Sequence, residues 1–174
     1  FVWSTGATTS TLVGLGPGTY TVTVTSANGC TGTDSVTLNE PSCIGDRVWM
    51  DMNRNGCQDP GEFGQANVTV TLTGTTSTGD PVNLTTTTAN NGHYQFDNLQ
   101  PGTYQVHVTL PTDMAFSPIN ACSDDFTDSD VNAAGSTGNI NLVAGNCNVT
   151  VDAGVYEACL NIIDPGTICC DQTL

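Results

Sequence analysis

Residues Asp51–Glu62 read DMNRNGCQDPGE. They fit the calcium-loop pattern D-x-[DN]-x-[DN]-G-x5-E at every fixed position. Asp51, Asn53 and Asn55 supply side-chain oxygens at positions 1, 3 and 5, and Gly56 stands at position 6, where the chain turns sharply. Cys57 offers a backbone carbonyl at position 7, Asp59 falls at position 9, and Glu62 at position 12 can close the shell with two oxygens. Calcium takes about six to eight hard oxygens, and one such loop can provide them.

The flanks decide what kind of loop this is. Ile44-Gly-Asp-Arg-Val-Trp-Met50 precedes it, and Ala66-Asn-Val-Thr-Val-Thr-Leu-Thr73 follows it. Both read as strands, the second with clean period-two alternation of Val, Leu and Thr. The expected fold class is therefore all-β: tandem β-sandwich modules carrying an EF-hand-like calcium loop between strands instead of helices.

Composition agrees. The chain has 174 residues and a net charge of −15, with 17 acidic residues against Arg47 and Arg54 and no Lys. Phosphate binding needs cations on the protein, so a nucleic-acid partner is excluded and anionic membranes are disfavoured. The expected counter-charge is a metal ion, which the loop's pattern makes Ca2+. Eight Cys without zinc-ligand spacing point to disulfides in an oxidising compartment. Their connectivity is not readable from spacing. No apolar run is long enough to span a bilayer.

Three segments are expected. Residues 1–41 form a partial module: Leu15-Gly-Pro-Gly-Thr-Tyr20 leads into the alternating strand Thr21-Val-Thr-Val-Thr25, and Ser26-Ala-Asn-Gly29 turns into Cys30–Leu38. Residues 42–157 form the main domain. Residues 158–174 are a tail that reads as the first strand of a following or neighbouring module. The run Leu15–Thr25 recurs as Leu99–Thr109 with eight of eleven positions identical, which marks modular β architecture. In both copies the Tyr is expected to point inward, and Trp3 and Trp49 read as core.

A second acidic cluster, Asp124-Asp-Phe-Thr-Asp128-Ser-Asp130, crowds carboxylates that repel one another unless a cation lies between them. Asp128 and Asp130, then Asp125, are the expected ligands. Asp46 and Asp152 either complete such a shell or serve the fold. His93 and His107 stand alone on predicted strands, without a nucleophile pattern, and no hydrolase motif occurs, so an enzyme is not expected. Ser35, in Asp34-Ser35-Val36, is a candidate O-glycosylation acceptor. Asn67, Asn83 and Asn148 open sequons in form.

Two resemblances extend this reading. Trp3-Ser-Thr-Gly-Ala-Thr-Thr9, Leu15–Thr25 and Ala27-Asn-Gly-Cys-Thr31 resemble the SprB-like repeats of Bacteroidota surface proteins. That resemblance implies a Bacteroidota source and a repeat whose earlier strands are missing. Ile44–Trp49, the Asp51–Glu62 loop, Val68–Leu72, Thr86–Phe96, Leu99–Tyr104, Asp128–Asn132 and Val151–Val155 resemble, in order, the SdrD B-like domain of staphylococcal serine-aspartate-repeat adhesins, a relative of the collagen-adhesin B-type fold. This implies a calcium-binding β-sandwich that acts as a stiff spacer at the cell surface, and it implies further calcium sites at the second acidic cluster. The Lys–Asn crosslink of some collagen-adhesin relatives is impossible without Lys.

The reading is a non-enzymatic, extracellular structural module of an adhesin, filament or sheath, stiffened by calcium and disulfides. Its partners are expected to be neighbouring modules of a longer chain, or other copies joined head to tail by strand addition. In the second case Cys30 would bond one of Cys159, Cys169 or Cys170. The alternatives are a carbohydrate- or protein-binding adhesin module, or an accessory domain of a secreted enzyme.

Overall fold

The computed structural model describes residues 1–158. The tail reading, with Cys159, Cys169 and Cys170, falls at 159–174, outside them. The chain divides into two compact units, Phe1–Pro41 and a unit beginning at Ser42.

The first unit is one antiparallel sheet of three strands, β1 (Val2–Trp3), β2 (Gly18–Thr25) and β3 (Thr31–Leu38), in the order β1-β2-β3. The register places Tyr20 opposite Val36, Val22 opposite Asp34 and Trp3, and Gly18 opposite Leu38. Directly paired residues share a face. One face therefore carries Trp3, Tyr20, Val22, Val24, Asp34, Val36 and Leu38, and the other Val2 and a field of Thr with Ser35. The expectation that Trp3 lies in a core is corrected here. It is only half-buried, its indole Nε1 donating to the Thr9 carbonyl at 2.9 Å, because the first unit has a single sheet and no second layer of its own.

The second unit is a sandwich. One sheet runs β10 (Ile140–Leu142), β8 (Gly102–Val108), β5 (Thr69–Thr76), β6 (Pro81–Thr87). The other is built on β4 (Ser42–Met50). There β7 (His93–Leu99) pairs antiparallel with β4, β11 (Cys147–Asn148) and β12 (Ala153–Glu157) pair parallel with it, and β9 (Met114–Phe116) lies beside β12. Alternation places Tyr104, Val106 and Val108 of β8 inward and Thr103, Gln105 and His107 outward. They meet Ile44, Val48, Tyr94, Phe96, Ala153 and Val155 of the facing sheet in one core. Each such aliphatic side chain contributes about 1.5–3 kcal/mol of burial. Trp49 is fully buried, as expected.

Among the described residues, two disulfides close this unit. Cys43–Cys147 joins β4 to β11, and Cys57–Cys122 ties the Asp51–Glu62 loop to the segment before the acidic cluster. Cys30 is an exposed thiol. No helix of the described residues is long and apolar enough to cross a membrane.

The repeated run behaves alike in both units. Tyr20 Oη donates to the Gly16 carbonyl at 2.8 Å, and Tyr104 Oη to the Gln100 carbonyl at 2.7 Å. The tyrosine thus clamps the turn four residues upstream in each copy.

Candidate metal centre

The loop leaves β4 at Met50 and re-enters through Phe63, whose carbonyl accepts the Met50 N–H at 2.9 Å. Asp51 at its first position is wholly buried. Its Oδ2 accepts the Gly56 N–H at 2.9 Å, and its Oδ1 accepts that of Asn55 at 3.2 Å. Those bonds wrap the chain around the carboxylate. Gly56 has φ +79°, and a Cβ there would stand 2.5 Å from the Pro118 carbonyl oxygen. Glycine is required on both counts.

The remaining ligand-type side chains are tied to one another and to the loop backbone. Asp59 Oδ2 accepts N–H groups from Asn53 and Asn55, each at 2.8 Å. Glu62 bridges the loop, Oε1 accepting from Met52 N and Oε2 from Asp59 N. Asn53 Oδ1 and Asn55 Oδ1 accept the backbone N–H groups of Asn55 and Cys57. These bonds knit Asp51, Asn53, Asn55, Asp59 and Glu62 into one hydrogen-bonded loop. Cys57 does more than its expected carbonyl role, because its sulfur is bonded to Cys122.

The second cluster lies against the first. Cys57 and Asp128 form an isolated antiparallel bridge, and Gln58 N donates to the Thr127 carbonyl at 2.7 Å. Asp125, Asp128 and Asp130 bring carboxylate oxygens within 4.8 Å of one another. Burial raises the Asp128 carboxyl above its usual range, and Asp125 adds to that. Asp130 is pushed up to about 7, first by burial, with the Asp152 N–H opposing.

Asp152 extends the cluster inward. It is buried, its N–H donates to Asp130 Oδ2 at 2.7 Å, and its Oδ1 accepts the Arg47 N–H at 3.1 Å. Burial, reinforced by Asp46 and Asp130, pushes its carboxyl up to about 9. Asp46 stands aside, 3.3 Å from His93 Nδ1. His107 meets Ser136 Oγ on the outer face, and Ser35 is exposed on β3.

The donor set fits a hard cation. All side-chain donors are carboxylate or amide oxygens, and two carboxylate oxygens, Asp128 Oδ1 and Asp152 Oδ2, are buried without a hydrogen-bond partner. Buried charge of that kind needs a counter-ion or a proton. Sequence reasoning left Asp152 undecided and could not see that disulfide Cys57–Cys122 straps the two acidic regions together. The place of Cys57 at position 7 of the loop was the available signal.

Residues 42–155 match the profile of the SdrD B-like domain family. The chain is 40% identical over 143 residues to serine-aspartate repeat-containing protein F of Staphylococcus epidermidis, covering 80% of this chain and 8% of that protein. It is 40% identical over 114 residues to protein D of the same series from Staphylococcus aureus strain Newman, covering 66% of this chain and 8% of that one. The chain thus spans less than a tenth of the length of these relatives. A solved structure, the minor pilin GBS52 of Streptococcus agalactiae, superposes with TM-score 0.45 at 10% identity over 88% of this chain and 66% of that one. These matches give no support to a Bacteroidota source.

Proposed function

This chain belongs to the SdrD B-like domain family, and from that premise we propose that it is a non-enzymatic, extracellular structural module whose sandwich is stiffened by bound calcium. The observation that carries the reading is the pairing of two oxygen-rich sites across the Cys57–Asp128 bridge, with Asp128 Oδ1 buried and unpartnered. Asp51, Asn53, Asn55, the Cys57 carbonyl, Asp59 and Glu62 would hold one ion. Asp125, Asp128 and Asp130 would hold another, with Asp152 behind them.

Calcium here neutralises carboxylates and cross-links segments; it performs no reaction. The residues do the positioning. Asp51 organises the loop through Gly56 and Asn55, the disulfide holds the loop against the acidic segment, and the sandwich core keeps both rigid. The similarity to serine-aspartate repeat-containing proteins supports a cell-surface setting with neighbouring modules. Within that setting we place head-to-tail self-association by strand addition.

The test is calorimetric titration of the chelated protein with Ca2+, beside thermal melts with and without chelator. Heat of binding and a higher melting temperature in calcium are expected. No heat and superimposable melts would overturn the calcium reading. Light scattering on unreduced protein tests assembly separately.

A further inference from the structure

Residues 118–122 form a strap between the two oxygen-rich regions. On one side Ile119 pairs with Ser129 in an isolated parallel bridge, and the Asn120 N–H donates to the Ser129 carbonyl at 2.8 Å. Ser129 stands between Asp128 and Asp130. On its other side the strap lies on the Asp51–Glu62 loop. A Cβ at Gly56 would stand 2.5 Å from the Pro118 carbonyl oxygen and 2.8 Å from the Ala121 Cβ, and the Cys122 sulfur is 3.5 Å from the Gly56 carbonyl oxygen. The strap is thus tied to the acidic segment by backbone pairing. To the loop it is tied covalently, through Cys57–Cys122.

That bond holds a contact which the metal-free protein disfavours. Asp128 Oδ1 and Gln58 Nε2 are buried without a hydrogen-bond partner, one on each side of the Cys57–Asp128 bridge. An unpaired buried polar group is costly, and a charged one more so. These two groups therefore favour parting the loop from the acidic segment. Against them stand the bond from Gln58 N to the Thr127 carbonyl, the packing at Gly56, and the disulfide. With the disulfide cut, only the weaker ties remain and the contact opens. Cys43–Cys147 has no such place. Its two residues face each other in the parallel ladder of β4 and β11, at the end of β4 away from the loop.

We infer that Cys57–Cys122 is a redox switch on the calcium centre. Oxidised, it clamps the loop onto the acidic segment and calcium binds tightly. Reduced, it releases the loop and calcium binding weakens. This rests on the calcium reading and names a regulation of that same site.

A dithiol supplies the electrons. Its thiolate attacks the sulfur of Cys57 or Cys122, the S–S bond breaks, and the displaced sulfur leaves as a thiolate that takes up a proton. The second thiol of the reductant then displaces the other cysteine from the mixed disulfide. Two electrons and two protons have passed to the cysteines, and the reductant is left as a cyclic disulfide. The switch has a direction: cytosolic thiols keep the bond open and the centre weak, and an oxidising exterior closes it. Linkage makes the coupling reciprocal. The factor by which the bond tightens calcium binding, taken over all bound ions, is the factor by which calcium favours the bond over its thiols.

A redox titration of the full chain tests it. Thiols already free are capped with iodoacetamide. The protein is then equilibrated with graded mixtures of reduced and oxidised dithiothreitol, in calcium or in chelator. Newly formed thiols are trapped with N-ethylmaleimide and assigned by peptide mass. In parallel, calcium is titrated calorimetrically into the oxidised protein and into the double variant Cys57→Ser, Cys122→Ser. Calcium should raise the reduced-to-oxidised ratio at which Cys57 and Cys122 are trapped by at least about tenfold. The ratio for Cys43 and Cys147 should move by a smaller factor, and the double variant should bind calcium more weakly by the factor seen for Cys57 and Cys122. A ratio for Cys57 and Cys122 that calcium does not move would refute the switch while leaving the calcium reading standing. Equal shifts for both disulfides would also refute it, since calcium would then act on the whole sandwich and not on this contact. If the double variant does not fold, the titration of the unaltered chain decides alone. No binding heat in the oxidised protein would remove the calcium reading itself, and the switch with it.

Discussion

Cys57 of the Asp51–Glu62 loop faces Asp128 of the acidic cluster across an isolated antiparallel bridge, and the Cys57 sulfur is bonded to Cys122 six residues upstream of Asp128. One residue thus joins two oxygen-rich regions by backbone pairing and by a covalent bond. Ion binding at either region should be felt by the other.

Replacing Cys57 and Cys122 together by Ser should lower stability by about 2–5 kcal/mol, since the bond closes a long loop. It should also shrink the calcium-induced melting shift. Replacing Cys43 and Cys147 should be at least as destabilising and leave calcium affinity nearly unchanged, because that bond lies at the start of β4 and away from the loop. Urea titrations and calorimetry on both double variants separate the two effects. Equal losses of affinity would show that the disulfide beside the loop has no special part.

Glu62→Gln removes one charge and leaves a single acceptor oxygen, so only one of the Met52 and Asp59 N–H groups keeps its partner. Stability in chelator should fall by about 1 kcal/mol, whereas calcium affinity should fall at least tenfold. At saturation of about 100 Kd, binding adds about 2.7 kcal/mol to the native protein, and a tenfold weaker variant should lose about half of that increment at the same calcium concentration. Denaturation midpoints at fixed free calcium provide the check.

Gly56→Ala introduces a Cβ at φ +79° and 2.5 Å from the Pro118 carbonyl oxygen. A strained left-handed residue costs about 1–3 kcal/mol, and the collision adds to it. The loop should open from the Pro118–Ala121 segment, with lower stability both with and without calcium. Unchanged melts would mean that the loop relaxes away from Pro118 without penalty.

In the metal-free protein Asp130 and Asp152 hold protons up to about pH 7 and about pH 9 because burial disfavours their ionised forms. An unfolded Asp titrates near 3.9. With folded values above the unfolded one, their contribution to stability is complete below about pH 4 and is lost as pH rises through 7 and then 9. Urea midpoints in chelator should fall across that window. In calcium the fall should flatten, because the cation favours the ionised carboxylates. A flat profile in chelator would show that these acids are solvated in the folded protein.

Tyr94 donates its hydroxyl to the Val151 carbonyl at 2.7 Å within the core. Tyr94→Phe leaves that carbonyl unpartnered and should cost about 1–3 kcal/mol. Val151 directly precedes Asp152, so the variant should also loosen the inner acid, read as weaker calcium binding in titration.

Much of the sandwich was legible. Val68–Leu72 and Tyr104–Val108 alternate with period two, and their inward sets are the buried ones. The Asn90-Asn-Gly92 turn joins β6 to β7 as its chemistry requires. The position of Trp3 was not legible, because alternation says which face is apolar and not whether anything covers it. The disulfides were unreadable for a related reason: Cys43 and Cys147 lie 104 residues apart and meet only because β11 pairs with β4.

The sequence by itself determined the local chemistry: twelve residues whose oxygens, turn glycine and closing glutamate suit a hard cation, strands on either side, and an acidic excess with no lysine. These are properties of near neighbours in the chain, fixed by residue type and spacing. Only the tertiary structure decided that Cys57 meets Asp128, that Asp152 is buried behind Asp130 rather than solvated, and that Tyr20 is half-buried while Tyr104 is enclosed. Each depends on which sheets pack together, and desolvation and long-range pairing arise from that packing.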